Sequence, residues 1–553
     1  MYGATQKHFD KTPTRKYFHM KRSILLLLSI LTGLLLAAGW PEKGFTLLLF
    51  VAWVPLLLVQ QELGDSGRKG MFWYALLAFF VWNILTTWWI WNSTGAGAVA
   101  AWFFNSLFMA FIFYIFHLSK VKLFNNKRGT AILLFYWITW EYFHMNWQLT
   151  WPWLTLGNGF ASQHKWIQWY QYTGVPGGTV WVFVVNFLVF TAARAIMAHN
   201  RGRLIKNVLG IVLFLAAPIW YSLYMYNHYN EVQNPVEVVV VQPNIDPWNE
   251  EFSLPHQVII ERNLKLARPL ITDSTRFVIS PESAIQEGIW EHQLNYSSSI
   301  ADIKRFIKPY PDLAYVIGAS TWRMIGKQEK KTNAARKLPN SNKYYYSYNT
   351  AFLIDNSGYI QLHHKSKLTP GVERMPSYGI LKPLEKLAIN LGGVTGTLGW
   401  DDKPVVFQPA HQDTKVGTAI CYESVFGDYV AQFVRQGAEL IFVITNDGWW
   451  GDTPGYRQHL LFSVLRAIET RRDVARSANT GASAVINQKG DILQRTKYWT
   501  PAAIKATLNK NDKMTFYVQY GDYLARIAAF VSGLVLLISF TQGYLKKRKS
   551  TVV

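Results

Sequence analysis

Cys421, the only cysteine among 553 residues, is the side chain best suited to covalent chemistry. It lies in TAICYES, directly after an apolar run that predicts a β-strand. A single cysteine cannot form a disulfide within its own chain, so it is either a small buried apolar residue or a nucleophile. A nucleophilic thiol is weakly ionised near neutral pH, and it needs a base that removes its proton or a cation that stabilises the thiolate.

Glu282 and Lys365 are candidate partners for this thiol. Glu282 follows the strand-like run RFVISP, and Lys365 lies in HHKSKLTPGVE. A carboxylate can accept the thiol proton, and an ammonium group can stabilise both a thiolate and an oxyanion. A histidine base also stays open, because the chain has 13 histidines, although none lies in a context typical of cysteine proteases.

Other kinds of site find little support in the sequence. It has no GxxxxGK[ST] phosphate loop, no dinucleotide fingerprint and no HExxH, CxxC or GxSxG motif. One cysteine cannot build a zinc–thiolate site. The adjacent His363 and His364 would point to opposite faces of a strand and are not expected to share a ligand. We therefore expect neither a metal ion nor a cofactor.

The composition indicates a membrane protein, because 50% of the residues are hydrophobic and 16% are aromatic. A helix needs roughly 20 mostly apolar residues to cross the hydrocarbon. The first apolar run is not a secretory signal peptide, since Trp40-Pro41-Glu42 is not a small-residue cleavage site. We expect eight transmembrane helices, seven early in the chain and one near its end: residues 23–40, 44–61, 71–92, 97–118, 130–147, 178–195, 205–224 and 523–543.

The formal charge of +22 lies largely in short basic blocks beside these runs. Such blocks set membrane topology more often than they bind nucleic acid. The loops at 62–70, 120–128 and 194–206 are basic, whereas the alternate loops are nearly free of Lys and Arg. By the positive-inside rule, both termini are cytoplasmic and the region between the last two spans lies on the far side. Solitary thiols are unusual there, which favours a catalytic role for Cys421.

The pattern changes between residues 236 and 509. Short β-rich runs, including VEVVVVQP, KVGTAICYES and ELIFVITND, end in or near turn-forming residues, and helical stretches lie between some of them. Strands that alternate with helices predict a layered α/β domain. Chemistry in such domains usually lies at the carboxyl ends of strands, where Glu282, Cys421 and Asp447 all fall.

Two features near the outer membrane face stand out. Glu141 and His144 lie in WEYFHMNW, toward the outer end of the fifth apolar run. Charged groups are costly in hydrocarbon and usually face the protein interior, so Glu141 is either an interfacial cap or part of a substrate site. The outward loop TWPWLTLGN, residues 150–158, is rich in tryptophan and could lie at the mouth of a lipid site.

The chain resembles the nitrilase superfamily of carbon–nitrogen hydrolases in the order of its motifs: VVVQPNI, ISPES, a Lys and a Glu separated by seven residues, AICYES, TNDGWWG and RAIETRR…RSANTGASAVI. The resemblance implies an αββα sandwich and a Glu–Lys–Cys triad made of Glu282, Lys365 and Cys421. Together with the predicted spans, the layout is similar to the membrane-bound branch of this superfamily that acylates lipoproteins. The expected fold is therefore a polytopic α-helical membrane domain joined to a nitrilase-like α/β domain.

The resemblance also implies roles for residues around the triad. Glu373, eight residues after Lys365, would support the lysine or the base, and Tyr422 and Glu423 follow the nucleophile as in the family. The backbone N–H after Cys421 would join Lys365 in an oxyanion hole. Residues expected to contact substrate are Trp449, Asn446, Trp248 and Glu141.

The sequence departs from the family pattern after the triad lysine. Lys367 replaces a family histidine, and Gly371-Val372 replaces a Phe-Gly pair. The pocket wall or loop shape is therefore expected to differ. Lys367 also competes with Lys365 for the catalytic role, but the spacing to Glu373 favours Lys365.

The implied reaction is the last step of lipoprotein maturation. An acyl chain would move from a phospholipid to Cys421 as a thioester, and then to the α-amino group of an N-terminal diacylglyceryl-cysteine. We expect the tryptophan-rich loops TWPWL and TNDGWWG to help exclude water from the thioester. Alternatives are a membrane-tethered amidase that uses water as acceptor, a transporter with an external domain, and an inactive interaction scaffold.

The expected setting is the bacterial inner membrane, with the protein a monomer in contact with membrane lipid and not with nucleic acid. Its parts would be a basic cytoplasmic tail at 1–22, a seven-helix domain at 23–225, a periplasmic catalytic domain at 226–520, and a final span with a basic cytoplasmic tail at 521–553.

Overall fold

Apolar helices make up the first part of the chain. The computed structural model describes residues 19–375 and 396–551, so residues 1–18 and 552–553 of the predicted tails lie outside the described residues. Turns of 3₁₀ helix at Thr46–Phe50, Pro152–Leu154 and Leu156–Trp166 connect some of the helices. The helices are α1 (Arg22–Ala38), α2 (Val54–Ser66), α3 (Met71–Thr87), α4 (Ile90–Ser93), α5 (Gly95–Phe124), α6 (Ile132–His144), α7 (Tyr170–Thr173), α8 (Val175–Met197) and α9 (Arg201–His228).

Several of these helices can cross a membrane. Within the described residues, five are long and apolar enough: Thr46–Ser66, Gly95–Phe124, Val175–Met197, Arg201–His228 and Tyr523–Gln542. Helices α1 and α3 are apolar but shorter. The predicted span at 71–92 is interrupted after Thr87, and the predicted span at 130–147 contains only the 13-residue helix α6. The protein thus has a membrane domain of several helices, while the number eight stays a prediction.

Two mixed β-sheets follow the membrane domain. The first contains β1 (Pro235–Gln242), β2 (Thr275–Ile279), β3 (Ile285–Trp290), β4 (Ala314–Met324), β5 (Arg336–Lys337), β6 (Tyr344–Ile354), β7 (Ile360–His364) and β14 (Ala502–Asn509). Its strand order is β14-β1-β2-β4-β6-β5. In addition, β3 pairs with β4 and β7 pairs with β6. The second has the order β13-β12-β11-β10-β9-β8 and contains β8 (Val406–Phe407), β9 (Val416–Ile420), β10 (Leu440–Thr445), β11 (Val474–Ala478), β12 (Ala484–Ile486) and β13 (Ile492–Arg495).

The sheets pack face to face, with helices on both outer sides. Phe277 of β2 and Phe442 of β10 meet at the centre, with ring centroids 5.3 Å apart. The first sheet is covered by α10 (His256–Ala267) and α11 (Ser298–Ile307). The second is covered by α12 (Gly427–Arg435) and α13 (Pro454–Thr470). The order helix–sheet–sheet–helix is the predicted αββα sandwich.

The α/β domain returns to the membrane domain through α14 (Phe516–Tyr520) and α15 (Tyr523–Thr551). One apolar cluster contains both Trp53 and Trp137 of the membrane domain and Phe433 and Leu465 of the outer helices α12 and α13. The second sheet therefore lies on the membrane domain through its helical layer. Strands β2, β9 and β10 run so that Glu282, Cys421 and Asn446 follow their carboxyl ends.

Candidate active site

Cys421 begins a turn of 3₁₀ helix, Cys421–Val425, immediately after β9. Its φ angle is +49°, a left-handed conformation that is uncommon for residues other than glycine and concentrates at functional sites. The side chain of Ser424 donates a hydrogen bond to the Cys421 carbonyl oxygen at 2.7 Å, which holds this turn. Cys421 is half-buried and lines a cavity.

Glu423 fixes the loop beneath the nucleophile. Its buried carboxylate accepts hydrogen bonds from the backbone N–H groups of Ile420 at 2.8 Å and Ser366 at 2.6 Å, and from His363 at 3.1 Å. Burial would raise the pKa of Glu423, but His363 and the two backbone bonds hold it below its ordinary value. Glu423 thus joins the loop of Cys421 to the loop of Lys365 and does not line the cavity.

Lys365 lies between two carboxylates. Its Nζ is 2.9 Å from Oε1 of Glu282 and 2.8 Å from Oε1 of Glu373. Asn349 donates to the same two oxygens, at 2.7 Å and 3.1 Å. Burial alone would lower the pKa of Lys365, but the two carboxylates raise it well above its ordinary value. The lysine is therefore a permanent cation beside Cys421.

Lys367 has a different environment. Its Nζ lies 3.5 Å from the carbonyl oxygen of Met145 and over the ring of Phe426. It contacts neither Glu282 nor Glu373, so the geometry favours Lys365 as the lysine of the site.

Glu373 is held in place by the backbone N–H of Thr369, which donates to its Oε2 at 2.9 Å.

A cavity of about 400 Å³ brings most of the predicted site residues together. Glu282, Lys365, Glu373, Cys421, Tyr422, Asn446 and Trp449 all line it. Part of the wall comes from the membrane domain, where α5 contributes Gly97, Ala100, Ala101, Phe104 and Phe108. These residues lie on one helical face with small side chains at its start, so an apolar chain could lie along α5 and reach Cys421.

Tryptophan side chains close one side of the cavity. The ring of Trp450 lies 4.7 Å from that of Trp89 and 5.7 Å from that of Trp153. Asn92 also donates to the backbone oxygen of Trp450 at 2.9 Å. The predicted neighbour Trp449 lines the cavity too, but its ring partner is the half-exposed Trp248.

Two of the predicted substrate contacts do not line this cavity. Trp248 is about half exposed and packs on Trp449 from outside. Glu141 is buried in the membrane domain, where it accepts hydrogen bonds from Trp137, the Leu156 backbone and Thr179. These bonds join helix α6 to helix α8 and to the loop at residues 150–158, so Glu141 connects these parts of the membrane domain.

Sequence reasoning missed three polar residues at the site. Asn349, Glu251 and His459 all line the cavity, and Nε2 of His459 lies 3.2 Å from the backbone oxygen of Cys421. Asn349 lies within the buried strand β6, where a polar side chain is a usable signal. No sequence signal distinguishes Glu251 from its neighbour Glu250. His459 lies on the helical run HLLFSVLRAIETRRDVARS, and its closeness to Cys421 depends on the packing of α13.

His459 and Glu282 are the alternative bases for the thiol. The two ring nitrogens of His459 already lie within hydrogen-bond distance of Asp447, at 2.9 Å, and of the Ser424 hydroxyl, at 3.0 Å. Asp447 is in turn paired with Arg476. Burial would raise the pKa of Asp447, but Arg476 and the contact with His459 lower it to about 2. We interpret this network as the support of the Cys421 turn.

Burial and the charge of Glu282 raise the pKa of the Cys421 thiol, although Lys365 opposes them. The resting thiol is therefore protonated and requires a base at the moment of attack.

Comparison with known proteins identifies both parts of the chain. Residues 32–188 match the family model "Apolipoprotein N-acyltransferase N-terminal domain", and residues 320–513 match "Carbon-nitrogen hydrolase". Apolipoprotein N-acyltransferase of Chlorobaculum tepidum is 28% identical over 93% of this chain and 96% of its own. That of Geobacter metallireducens is 26% identical over 96% of each chain.

Among solved structures, the chain is similar to Saccharomyces cerevisiae Nit3, a member of branch 10 of the nitrilase superfamily. The match has a TM-score of 0.36 and 15% identity, over 51% of this chain and 92% of that one. The two family models and the full-length relatives together support the assignment of this chain to the apolipoprotein N-acyltransferases, with a carbon–nitrogen hydrolase domain of the nitrilase superfamily.

Proposed function

We propose that this protein transfers an acyl chain from a membrane phospholipid to the α-amino group of the diacylglyceryl-cysteine at a lipoprotein N-terminus. The observation that carries the proposal is the shared cavity, in which Glu282, Lys365 and Cys421 face an apolar wall contributed by α5. A soluble amidase needs no such wall. A lipid donor does, because its acyl chain must stay out of water while the ester carbonyl reaches the sulfur.

The first half-reaction forms the thioester. Glu282 accepts the proton of Cys421, and the sulfur attacks the ester carbonyl of the phospholipid. Lys365 stabilises the negative charge on the tetrahedral oxygen, together with backbone N–H groups after Cys421. The carbon–oxygen bond then breaks, and Glu282 returns the proton to the departing lysophospholipid oxygen.

The second half-reaction forms the amide. The acceptor nitrogen attacks the thioester carbon, the carbon–sulfur bond breaks, and a proton of the amine passes through Glu282 to the sulfur of Cys421. Water has to be excluded during the lifetime of the thioester. The cluster of Trp89, Trp153 and Trp450 is placed to do this at the cavity wall.

We also propose the membrane arrangement that the sequence predicts. Eight spans, with a basic tail at 1–22, a seven-helix domain at 23–225, a catalytic domain at 226–520 and a final span and tail at 521–553, would leave both termini in the cytoplasm. The basic loops at 62–70 and 120–128 support this orientation. The catalytic domain of the monomer would then face the periplasm, beside the outer leaflet of the inner membrane.

The test follows the mass of the full-length protein in detergent after incubation with phospholipid and no acceptor. We expect an acyl-sized gain on Cys421, no gain in Cys421→Ala, and discharge of the acyl group by a diacylglyceryl lipopeptide as an N-acyl product. We call this acylation of Cys421 charging. Glu282→Gln should slow charging by about 10²-fold or more, whereas His459→Gln should still be acylated on Cys421.

Discharge only to free fatty acid, with the lipopeptide present, would instead identify a hydrolase. Loss of charging in His459→Gln with retention in Glu282→Gln would reverse the assignment of the base.

A further inference from the structure

Glu251 is a carboxyl group inside the cavity that the proposed mechanism does not use. Its side chain is 4% exposed and lines the cavity with Glu282 and Cys421. Lys365 forms ion pairs with both Glu282 and Glu373. Among the residues that the structure describes, no Lys, Arg or His forms an ion pair with Glu251. Burial without a cation disfavours the ionised carboxylate, so the charged form of Glu251 needs a ligand that supplies the positive charge.

Asn446 connects this carboxyl group to the base. Its side-chain Nδ2 donates to Oε2 of Glu251 at 2.7 Å, and its backbone N–H donates to Oε2 of Glu282 at 3.1 Å. The side-chain oxygen of Asn446 is buried, in a residue that is 6% exposed and lines the cavity, and no described group donates a hydrogen bond to it. Gln286 also donates to Glu251, through its Nε2 to Oε1 at 3.4 Å. A free acceptor oxygen therefore lies on the residue that makes the shorter contact with this carboxyl group.

We infer that Glu251 and the side-chain oxygen of Asn446 bind the α-ammonium group of the acceptor, an inference that rests on the proposed acyltransferase function. A primary ammonium group carries three N–H donors, and the two residues offer it a carboxylate and an amide oxygen. Because Asn446 also contacts Glu282, a nitrogen bound there lies close to the group that takes its proton.

The protonation behaviour of Glu251 suits this task. Burial and the charge of Glu282 raise the pKa of Glu251 to about 8. An α-amino group ordinarily has a pKa of about 7.7–8.0. A carboxylate of low pKa would keep the bound amine protonated and unreactive, whereas groups of matched pKa share the proton. A carboxylate with a raised pKa can therefore take a proton from the bound ammonium group more readily than an ordinary one.

The protons of the transfer step balance with this arrangement. The ammonium group gives one proton to the Glu251 carboxylate and becomes a neutral amine. As nitrogen bonds to the thioester carbon, its second proton passes through Glu282 to the sulfur of Cys421, and the carbon–sulfur bond breaks. The products are an amide N–H, a thiol and a protonated Glu251, which loses its proton to solvent before the next acceptor binds.

The ammonium group could also come from a donor headgroup, since ethanolamine phospholipids carry one. The two sources are distinguished by measuring charging and discharge separately.

Glu251→Gln is the test variant, because glutamine keeps the size of the side chain and an oxygen that accepts a hydrogen bond from Asn446. Its matched control is Glu250→Gln, because Glu250 is the preceding residue and pairs with Arg262 outside the cavity, at 2.9 Å.

The experiment charges each full-length variant with phosphatidylglycerol or phosphatidylethanolamine and then adds a diacylglyceryl lipopeptide or hydroxylamine, which is neutral near pH 7. In Glu251→Gln we expect charging from both lipids and discharge by hydroxylamine at wild-type rates. We expect KM for the lipopeptide to rise about 10- to 100-fold, as for the loss of a hydrogen bond to a charged group. Glu250→Gln should match the wild type in every arm.

Each other result overturns the inference in a recognisable way. Unchanged lipopeptide discharge in Glu251→Gln would show that the residue does not bind the acceptor. Slow charging from phosphatidylethanolamine alone would assign it to the donor headgroup, and slow charging from both lipids would assign it to the positioning of Glu282. Absence of charging in the wild-type protein would instead refute the proposed acyltransferase function.

Discussion

The hydroxyl group of Tyr422 donates a hydrogen bond to the backbone oxygen of Thr150, at 2.9 Å. Tyr422 directly follows the nucleophile, and Thr150 begins the tryptophan-rich loop of the membrane domain. This bond is buried and connects residues far apart in sequence. The position of Cys421 is therefore set from two sides, by Glu423 within the α/β domain and by Tyr422 across the domain interface.

Tyr422→Phe removes this connection and leaves the Thr150 oxygen without its donor. We expect a loss of about 0.5–1.5 kcal/mol in the free energy of unfolding, together with slower charging of Cys421. Thermal unfolding in detergent and the mass assay measure the two effects. Tyr359→Phe is the control, because Tyr359 is 71% exposed. Equal behaviour of the two variants would show that the interface does not depend on this bond.

Replacement of the two lysines of one loop should separate their roles. Lys365→Met removes the cation between Glu282 and Glu373, so charging of Cys421 should fall about 10²-fold or more. Lys367→Met loses a contact with the Met145 carbonyl and should charge near the wild-type rate. Circular dichroism checks that both variants are folded. A similar loss in both would contradict the assignment of Lys365.

Tryptophan replacements test the exclusion of water. Trp450→Ala opens the contact with Trp89 and Trp153, so a larger fraction of the acyl group should leave as free fatty acid. Trp449→Ala removes a ring that packs on exposed Trp248, and its effect should be smaller. The ratio of free acid to N-acyl lipopeptide measures both. If neither variant releases extra acid, these loops do not exclude water.

Stability should fall in mild alkali because of His364. Burial would lower its pKa from 6.5, but hydrogen bonds to Asp401 and Glu291, each 2.9 Å long, raise it to about 9. Since the folded-state pKa exceeds the unfolded one, the protonated ring stabilises the fold fully below about pH 6.5. This contribution is lost as the pH rises through about 9.

The measurement is the unfolding temperature in detergent across this pH range. His364→Gln should be less stable than the wild type at low pH and should lack the loss between about pH 6.5 and 9. His411→Gln is the control, because His411 is exposed. A wild-type profile in His364→Gln would refute the assignment.

The three proposed triad residues could be selected from the sequence because each follows a β-rich run, and the family resemblance implies their roles. A layered α/β domain and a membrane domain could be predicted from hydrophobic pattern and loop charge, whereas the αββα sandwich was implied by the family resemblance. The interruption after Thr87 and the shortness of helix α6 could not be predicted, because the sequence stays apolar beyond the ends of both helices. Glu251 was also out of reach, because only the folded loop shows that it turns inward while Glu250 pairs with Arg262 on the surface.

The apolar cluster shared by Trp53 and Phe433 has a wider consequence. A fragment cut at the end of α9 would expose the helical layer that covers the second sheet and would lose the α5 wall. Such a fragment would aggregate, and any that stayed soluble would lack the surface on which a fatty chain lies. The membrane domain and the α/β domain thus form one structural unit. A mutation that disrupts the membrane domain is therefore expected to inactivate Cys421 as well.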